Sequence, residues 1–189
     1  LLRSWQRWPR AYHNASHLQA CLGHWQTVQN ELPGALEQPH AVALALWFHD
    51  AVYWPWSAHN EARSAQWASR FLNGQHVPPS LVSTVHAHIM ATCHNPGALQ
   101  GDATWVVDID LAVLGQSDAV YRQFERNVRK EYFFVRWPRY VAGRSAVLQG
   151  FLHRPHIYGT DYFAQRYEAQ ARANLQQALS ALGQGQLYQ

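Results

Sequence analysis

The stretch Ala41-Val42-Ala43-Leu44-Ala45-Leu46-Trp47-Phe48-His49-Asp50 decides how this chain is read. An uninterrupted apolar run leads straight into an adjacent histidine and aspartate. Pro39 stands just ahead, where a first-turn proline does a helix no harm because its missing N–H has no intrahelical partner. Pro55 stands behind and breaks helices, so the spacing predicts a helix from Pro39 to Tyr53. Burying the His-Asp pair without partners would cost roughly 2–7 kcal/mol per unpaired polar group. A bound divalent ion cancels that cost, because imidazole and carboxylate both ligate such ions. The plain alternative is a helix that ends at a polar pair facing water. The metal reading therefore depends on partners supplied by the rest of the chain.

Working outward, the segments on both sides also read as helices. Asn14 to Leu32 carries Leu18, Leu22, Trp25, Val28 and Leu32 at helical spacing, with Pro33-Gly34 as its stop. Ala58 to Asn73 follows, with Ala62, Ala65, Ala68, Phe71 and Leu72 inward and Gly74 as its stop. Pro78-Pro79 opens a fourth helix with Leu81, Val85, Ile89 and Thr92 in line, and Asn95-Pro96-Gly97 reads as a loop. Ala103 to Leu114, with Gly115 at its end, is apolar nearly all round, which predicts the central buried helix. Ser117 is the N-cap of a sixth helix reaching about Arg136. Pro138 opens a seventh to about Leu152, and Thr160 or Asp161 caps a last one to about Leu182. Alternating β patterns are scarce. The expected fold is all-α: a single domain over residues 1–182, an irregular bundle of about 7–8 helices, with 183–189 as a frayed tail.

Composition narrows the functional classes. A chain of 189 residues with 48% hydrophobic content is long enough to bury a real core and is not disordered. No apolar run approaches the roughly 20 residues of a membrane span, and the start, at Leu1, does not read as a signal peptide. Cys21 and Cys93 form no disulfide framework and lack the CxxC spacing of a zinc site, which fits a reducing cytoplasm. Net charge is +3. Arg122, Arg126, Arg129, Lys130, Arg136 and Arg139 come nearest to a basic stripe, but they are thin for a nucleic-acid binder. A solvated helix face, or contacts to one small phosphate ligand, suits them better.

Four stretches bring polar residues to positions that helical packing turns inward. In Tyr12-His13-Asn14-Ala15-Ser16-His17 the two histidines are four apart, on one face of a continuous helix. They can share an ion, or one can ligate while the other meets substrate. His49-Asp50 is the second stretch. Asp108-Ile109-Asp110 is the third and the sharpest, since ionised carboxylates almost never bury unpaired. The two aspartates are about 200° apart around a helix and cannot face one point. One is a candidate ligand; the other braces it or pairs with an arginine. Glu61, His86, His88 and His94 form a looser fourth group.

The order His17, His49-Asp50, Asp110 resembles that of the HD superfamily of metal-dependent phosphohydrolases, over about residues 12–115. More closely, the chain looks like a group of uncharacterised bacterial predicted HD hydrolases. The stretches that carry this likeness are Tyr12-His13-Asn14-x-x-His17-Leu18, Trp47 to Tyr53, Asn60-Glu61-x-x-Ser64-Ala65, Asp108 to Gly115, Arg129-Lys130-Glu131-Tyr132 and Ala171-Arg172-Ala173-Asn174-Leu175. The resemblance implies an all-α fold with one divalent ion held by His17, His49, Asp50 and Asp110; these ligands leave Mg, Mn, Fe, Zn and Ni all open. It implies hydrolysis of a nucleotide or other small phosphoester by a metal-activated water. The opening motif also resembles that of cyclic-nucleotide phosphodiesterases, which makes His13 the proton donor and His17 the ligand. Asp110-Leu111 resembles the Asp-Leu that supplies the last ligand there, which favours Asp110 over Asp108. The phosphodiesterases' substrate-recognition region has no counterpart, so cyclic nucleotides are not implied. Asp110 or Asp50 is then expected to take a proton, and Arg129 or Lys130 to neutralise phosphate charge. Asp108, Glu61 and His94 are expected to brace the ligands or meet substrate. The competing expectation is a non-catalytic module of the same fold that binds a metal or nucleotide.

Overall fold

The structure, a computed structural model, describes residues 1–94 and 99–188. The loop expected at Asn95-Pro96-Gly97 lies outside the described residues. The described residues are helical and contain no strand: α1 Ala15–Glu31, α2 Pro39–Phe48, α3 Asn60–Gly74, α4 Pro79–Ala91, α5 Asp102–Leu111, α6 Asp118–Glu131, α7 Trp137–Leu152 and α8 Asp161–Gly183. Short 3-10 turns, Leu2–Gln6 and Ala112–Gly115, precede α1 and follow α5. The all-α expectation is met. No described helix is long and apolar enough to cross a membrane. Contacts gather into two compact units, residues 1–110 and 111–189.

In the first unit, α1 begins one residue later than its sequence suggests. Asn14 is extended and its side chain accepts from the Ser16 N–H at 2.9 Å, a capping bond that satisfies one orphan donor of the first turn. His13 therefore lies ahead of the helix, and the expected continuous helical face through His13 and His17 does not exist. The start of α2 is pinned from α5: the Asp102 carboxylate accepts from the Glu37 N–H at 2.9 Å and the Gln38 N–H at 2.6 Å.

α2 ends at Phe48 instead of Tyr53, and the reason is local chemistry. A helix that stops must find partners for its last carbonyls. Here His49 Nδ1 lies 2.8 Å from the Leu46 carbonyl and the Trp5 indole N–H donates to the Trp47 carbonyl at 3.3 Å. The Ala51 N–H donates to the Phe48 carbonyl at 2.9 Å. Beyond the end, Val52 exchanges bonds with the Ser64 hydroxyl at 3.0 and 3.3 Å. Side chains from two other segments, Trp5 and Ser64, thus win over helix propagation, and His49-Asp50 sits in a turn at the helix end. α3 runs through Gly74; the chain reverses at His76, which takes the left-handed φ of +56°. In α5 Val106, Val107, Asp108 and Ile109 are all buried, which agrees with the central position expected for this helix.

In the second unit, α6 ends at Glu131, five residues before the expected end, and α7 begins at Trp137. Ser117 occupies the N-cap of α6 but its hydroxyl makes no capping bond, whereas Thr160 accepts from the Phe163 N–H at 3.3 Å and caps α8. Near the C-terminus the Tyr188 hydroxyl bonds to the Asp118 carboxylate and to Gln177. Much of the expected basic stripe is engaged on its own helix: Arg122 pairs with Asp118, Arg126 bonds Gln123, and Arg129 donates to the Tyr132 carbonyl.

Gly115 marks the tightest approach in this unit. A Cβ there would meet Tyr167 at 2.4 Å from its Cβ and 2.7 Å from its carbonyl oxygen. Backbone cannot swing away as a side chain does, so Gly115→Ala is expected to destabilise by about 1–3 kcal/mol or more, as overpacked sites do. Urea unfolding checks this, and a midpoint equal to wild type would show that α8 yields freely.

Candidate metal centre

Three segments of the first unit converge at the end of α2. α1 supplies His17 from its first turn, the α2 terminus supplies His49 and Asp50, and α5 supplies Asp110 from its last turn. His17 Nε2 lies 3.1 Å from His49 Nε2, 3.2 Å from Asp110 Oδ1 and 3.8 Å from Asp50 Oδ2. His49 Nε2 lies 3.3 Å from Asp50 Oδ2 and 3.4 Å from Asp110 Oδ1. The four residues named from sequence as candidate ligands are therefore brought together. Asp108 is buried on the same helix about 200° away, and it is Asp110 whose oxygens reach the histidines.

The donor chemistry fits a divalent ion. Bonds of about 2.1 Å from one ion make polyhedron edges of roughly 3.0–3.4 Å, close to most of the spacings found. The His49 tautomer fits as well. With Nδ1 donating to the Leu46 carbonyl, neutral His49 presents a bare lone pair on Nε2 to the cluster, the second bond that orients a metal-binding imidazole. Two imidazoles and two carboxylates form the mixed nitrogen–oxygen set that Zn, Mn, Fe and similar ions accept.

Two neighbours were not legible as part of this cluster. Cys21 lies one turn after His17 on α1, and its sulfur joins His17, His49 and Asp110 in a group whose donor atoms lie within 4.8 Å of one another. However, Sγ is 3.8 and 3.7 Å from the two ring nitrogens of His17, nearly equidistant. An atom sharing an ion with Nε2 has to lie off the Nε2 lone pair, not midway between both nitrogens. Burial pushes the Cys21 thiol up, and Asp110 and Asp50 add to that in the ion-free protein. Asp50 and Cys21 are both candidate fourth donors, Asp50 through its approach to His49 at 3.3 Å and Cys21 through its packing against His17. Its i, i+4 spacing from His17 was the available signal. The other neighbour is Trp5, fully buried, whose ring centre is 5.5 Å from that of His49 and 6.4 Å from that of His17.

The remaining candidates divide. His94 reaches the centre: its Nε2 is 3.3 Å from Asp110 Oδ2, the oxygen turned away from the other two histidines. His13 is half-buried, stacks on Tyr53 at 4.1 Å between ring centres, and lies 6.0 Å from the His17 ring. Glu61 opens α3 and interacts electrostatically with Cys93, outside the donor group. Arg129 and Lys130 belong to the second unit, where the Arg129 guanidinium lies 4.7 Å over the Tyr140 ring. The donor cluster is drawn entirely from residues 1–110.

Electrostatics tie the cluster together. Burial alone would raise the Asp50 and Asp110 carboxyls. Charge and hydrogen bonding from His49, charge from His13 at Asp50, and hydrogen bonds from His17 at Asp110 hold both below the usual carboxylate range. Burial would lower His49, but Asp50 and Asp110 together hold it well above 6.5, while burial keeps His17 below 6.5. In the ion-free protein the carboxylates and His49 respond to pH in opposite directions. Depressed carboxylates contribute stability that is complete above about pH 4 and lost as pH falls through their folded values. Raised His49 contributes stability that is complete below about pH 6.5 and lost as pH rises through its folded value, whereas lowered His17 costs stability as pH falls below about 6.5. Chelator-treated protein is thus expected to melt highest between these limits, and a melting temperature still climbing above pH 8 would contradict this pairing.

These features define a helical protein with a cluster of His17, Cys21, His49 and Asp110, with Asp50 beside it, that could hold a metal ion. No protein-family model matches the chain, and no curated protein or solved structure matches it either.

Proposed function

We propose that this protein is a metal-dependent phosphohydrolase acting on a nucleotide or another small phosphoester. The observation that carries the reading is the convergence of His17, His49, Asp50 and Asp110, at 3.1–3.8 Å, from segments far apart in sequence. Those four residues would hold the ion. A divalent ion so held supplies Lewis acidity, lowering the pKa of a water and polarising a phosphoryl oxygen. The chain's own residues do the rest. Asp50 or Asp110 accepts the proton of the attacking water. The imidazole of His49, fixed at Nδ1, keeps the ligand geometry from drifting. His94 restrains the outer oxygen of Asp110. His13, beside the cluster but outside the donor set, donates a proton to the departing ester oxygen.

The test is a panel of nucleotides and small phosphoesters with added Mn or Mg, with ion content measured on the same samples. His13→Ala is expected to cut turnover by about 10²–10⁴-fold, the typical worth of a general acid, while keeping its ion. His17→Ala is expected to lose both. An ion-loaded protein without turnover on any member of the panel would instead mark a binding module.

A further inference from the structure

We propose that Arg10 positions His13 for proton donation to the leaving group, an inference that rests on the phosphoester reading above. His13 lies ahead of the α1 N-cap, so the helix does not hold it. Its carbonyl accepts from Arg10 NH1 at 2.7 Å, and its ring stacks on Tyr53 at 4.1 Å with an interplanar angle of 24°. The same guanidinium donates through NH2 to the Ala51 carbonyl at 3.1 Å. Ala51 directly follows His49-Asp50, so one side chain ties the backbone of the proton donor to the backbone of the donor turn. The guanidinium carbon lies 5.5 Å from the ring centres of both Trp5 and Tyr53. Trp5 packs on His49 and Tyr53 packs on His13, so both faces of the assembly end on an imidazole of the centre.

The chemistry needs such a clamp. When water attacks phosphorus and the P–O bond breaks, the electron pair leaves on the ester oxygen. That oxygen takes a proton from the His13 imidazolium, which becomes neutral, while the proton of the attacking water goes to Asp50 or Asp110. A donor displaced by about 1 Å loses roughly 10²-fold in rate. A guanidinium suits the task because its planar fork reaches two carbonyls at once and stays charged, which an ammonium does not reproduce. Arg10 touches no reacting atom in this account; it is a positioning residue.

The test compares two esters on ion-loaded protein. p-Nitrophenyl phosphate has a leaving group that departs without a proton, whereas glycerol phosphate leaves as an alkoxide and needs one. Arg10→Met is expected to lower kcat on glycerol phosphate by about 10²-fold, with kcat on p-nitrophenyl phosphate nearly unchanged and ion content intact. Arg10→Lys falls between Arg10→Met and wild type. In a His13→Ala background Arg10→Met adds no further loss, because the two residues act as one unit. Equal losses on both esters, or loss of the ion, would overturn the proposal in favour of a purely structural role. A second readout needs no turnover. The stacking predicts an upfield NMR shift of the His13 ring protons from the Tyr53 ring, which is expected to vanish in Arg10→Met and in Tyr53→Leu. If that shift survives Arg10→Met, the clamp is wrong. If wild-type protein hydrolyses neither these esters nor any nucleotide or phosphoester of the panel while the shift responds, the phosphohydrolase reading fails and the clamp stands.

Discussion

Asp110→Ala is expected to leave the protein without a bound ion and to cut turnover by about 10³-fold or more. Asp110 reaches three histidines of the centre: Oδ1 lies 3.2 and 3.4 Å from His17 and His49, and Oδ2 lies 3.3 Å from His94. Removing it takes away one of two anionic donors and leaves three imidazoles facing a single carboxylate. Lewis-acid stabilisation is worth several kcal/mol, and about 1.4 kcal/mol is tenfold in rate, so its loss corresponds to the factor given. Metal analysis and turnover on the same sample measure both effects. Asp108→Ala is the control. A variant at Asp110 that keeps a full complement of ion, while Asp108→Ala loses it, would reverse the assignment of the two aspartates.

Arg144→Met is expected to destabilise the second unit by about 3–5 kcal/mol, the usual consequence of stranding one partner of a buried ion pair. Glu125 is 1% exposed, and its carboxylate accepts from Arg144 at 3.1 and 2.6 Å and from the Tyr121 hydroxyl at 2.7 Å. Burial would lower the Arg144 pKa, but Glu125 outweighs that and holds it above the ordinary value. With the guanidinium gone, the carboxylate keeps only a phenol. For a chain of this size the thermal midpoint should fall by roughly 6–20 °C. Glu125→Leu combined with Arg144→Met should recover much of the loss, because no charge is then left unpaired. A double variant as unstable as Arg144→Met alone would show that packing, not the stranded carboxylate, carries the cost.

The fold class and the stretches that hold the candidate donors were legible because they rest on short-range regularities, while the choice of His17 over His13 and of Asp110 over Asp108 came from the family resemblance. Helical spacing in residues 15–31 and 79–91, and polar residues inside the apolar runs before His49 and around Asp110, are visible in one dimension. What stayed hidden depended on partners far away in sequence. The α2 end is set by Trp5, Arg10 and Ser64, none of which is near Phe48 along the chain. The N-cap at Asn14 decided that His13 lies outside α1, which a count of four residues between histidines does not reveal. Cys21 joins the donor group through its position one turn after His17, a spacing that a search for paired cysteines does not reveal. Gly74 drew the stop of α3 to itself, while the left-handed residue is His76.

The donors of the centre stand at positions 17, 49, 50 and 110, and nothing short of the folded first unit gathers them. An unfolded chain presents them as isolated weak sites, so an ion that binds here binds almost solely to the native state. By mass action such a ligand adds RT ln(1 + [L]/Kd) to stability, about 2.7 kcal/mol at a free concentration of 100 Kd. The melting temperature then becomes a titration curve. Scanning it across ions ranks their affinities without any substrate, and a cell short of the preferred ion would hold this protein nearer its unfolding threshold.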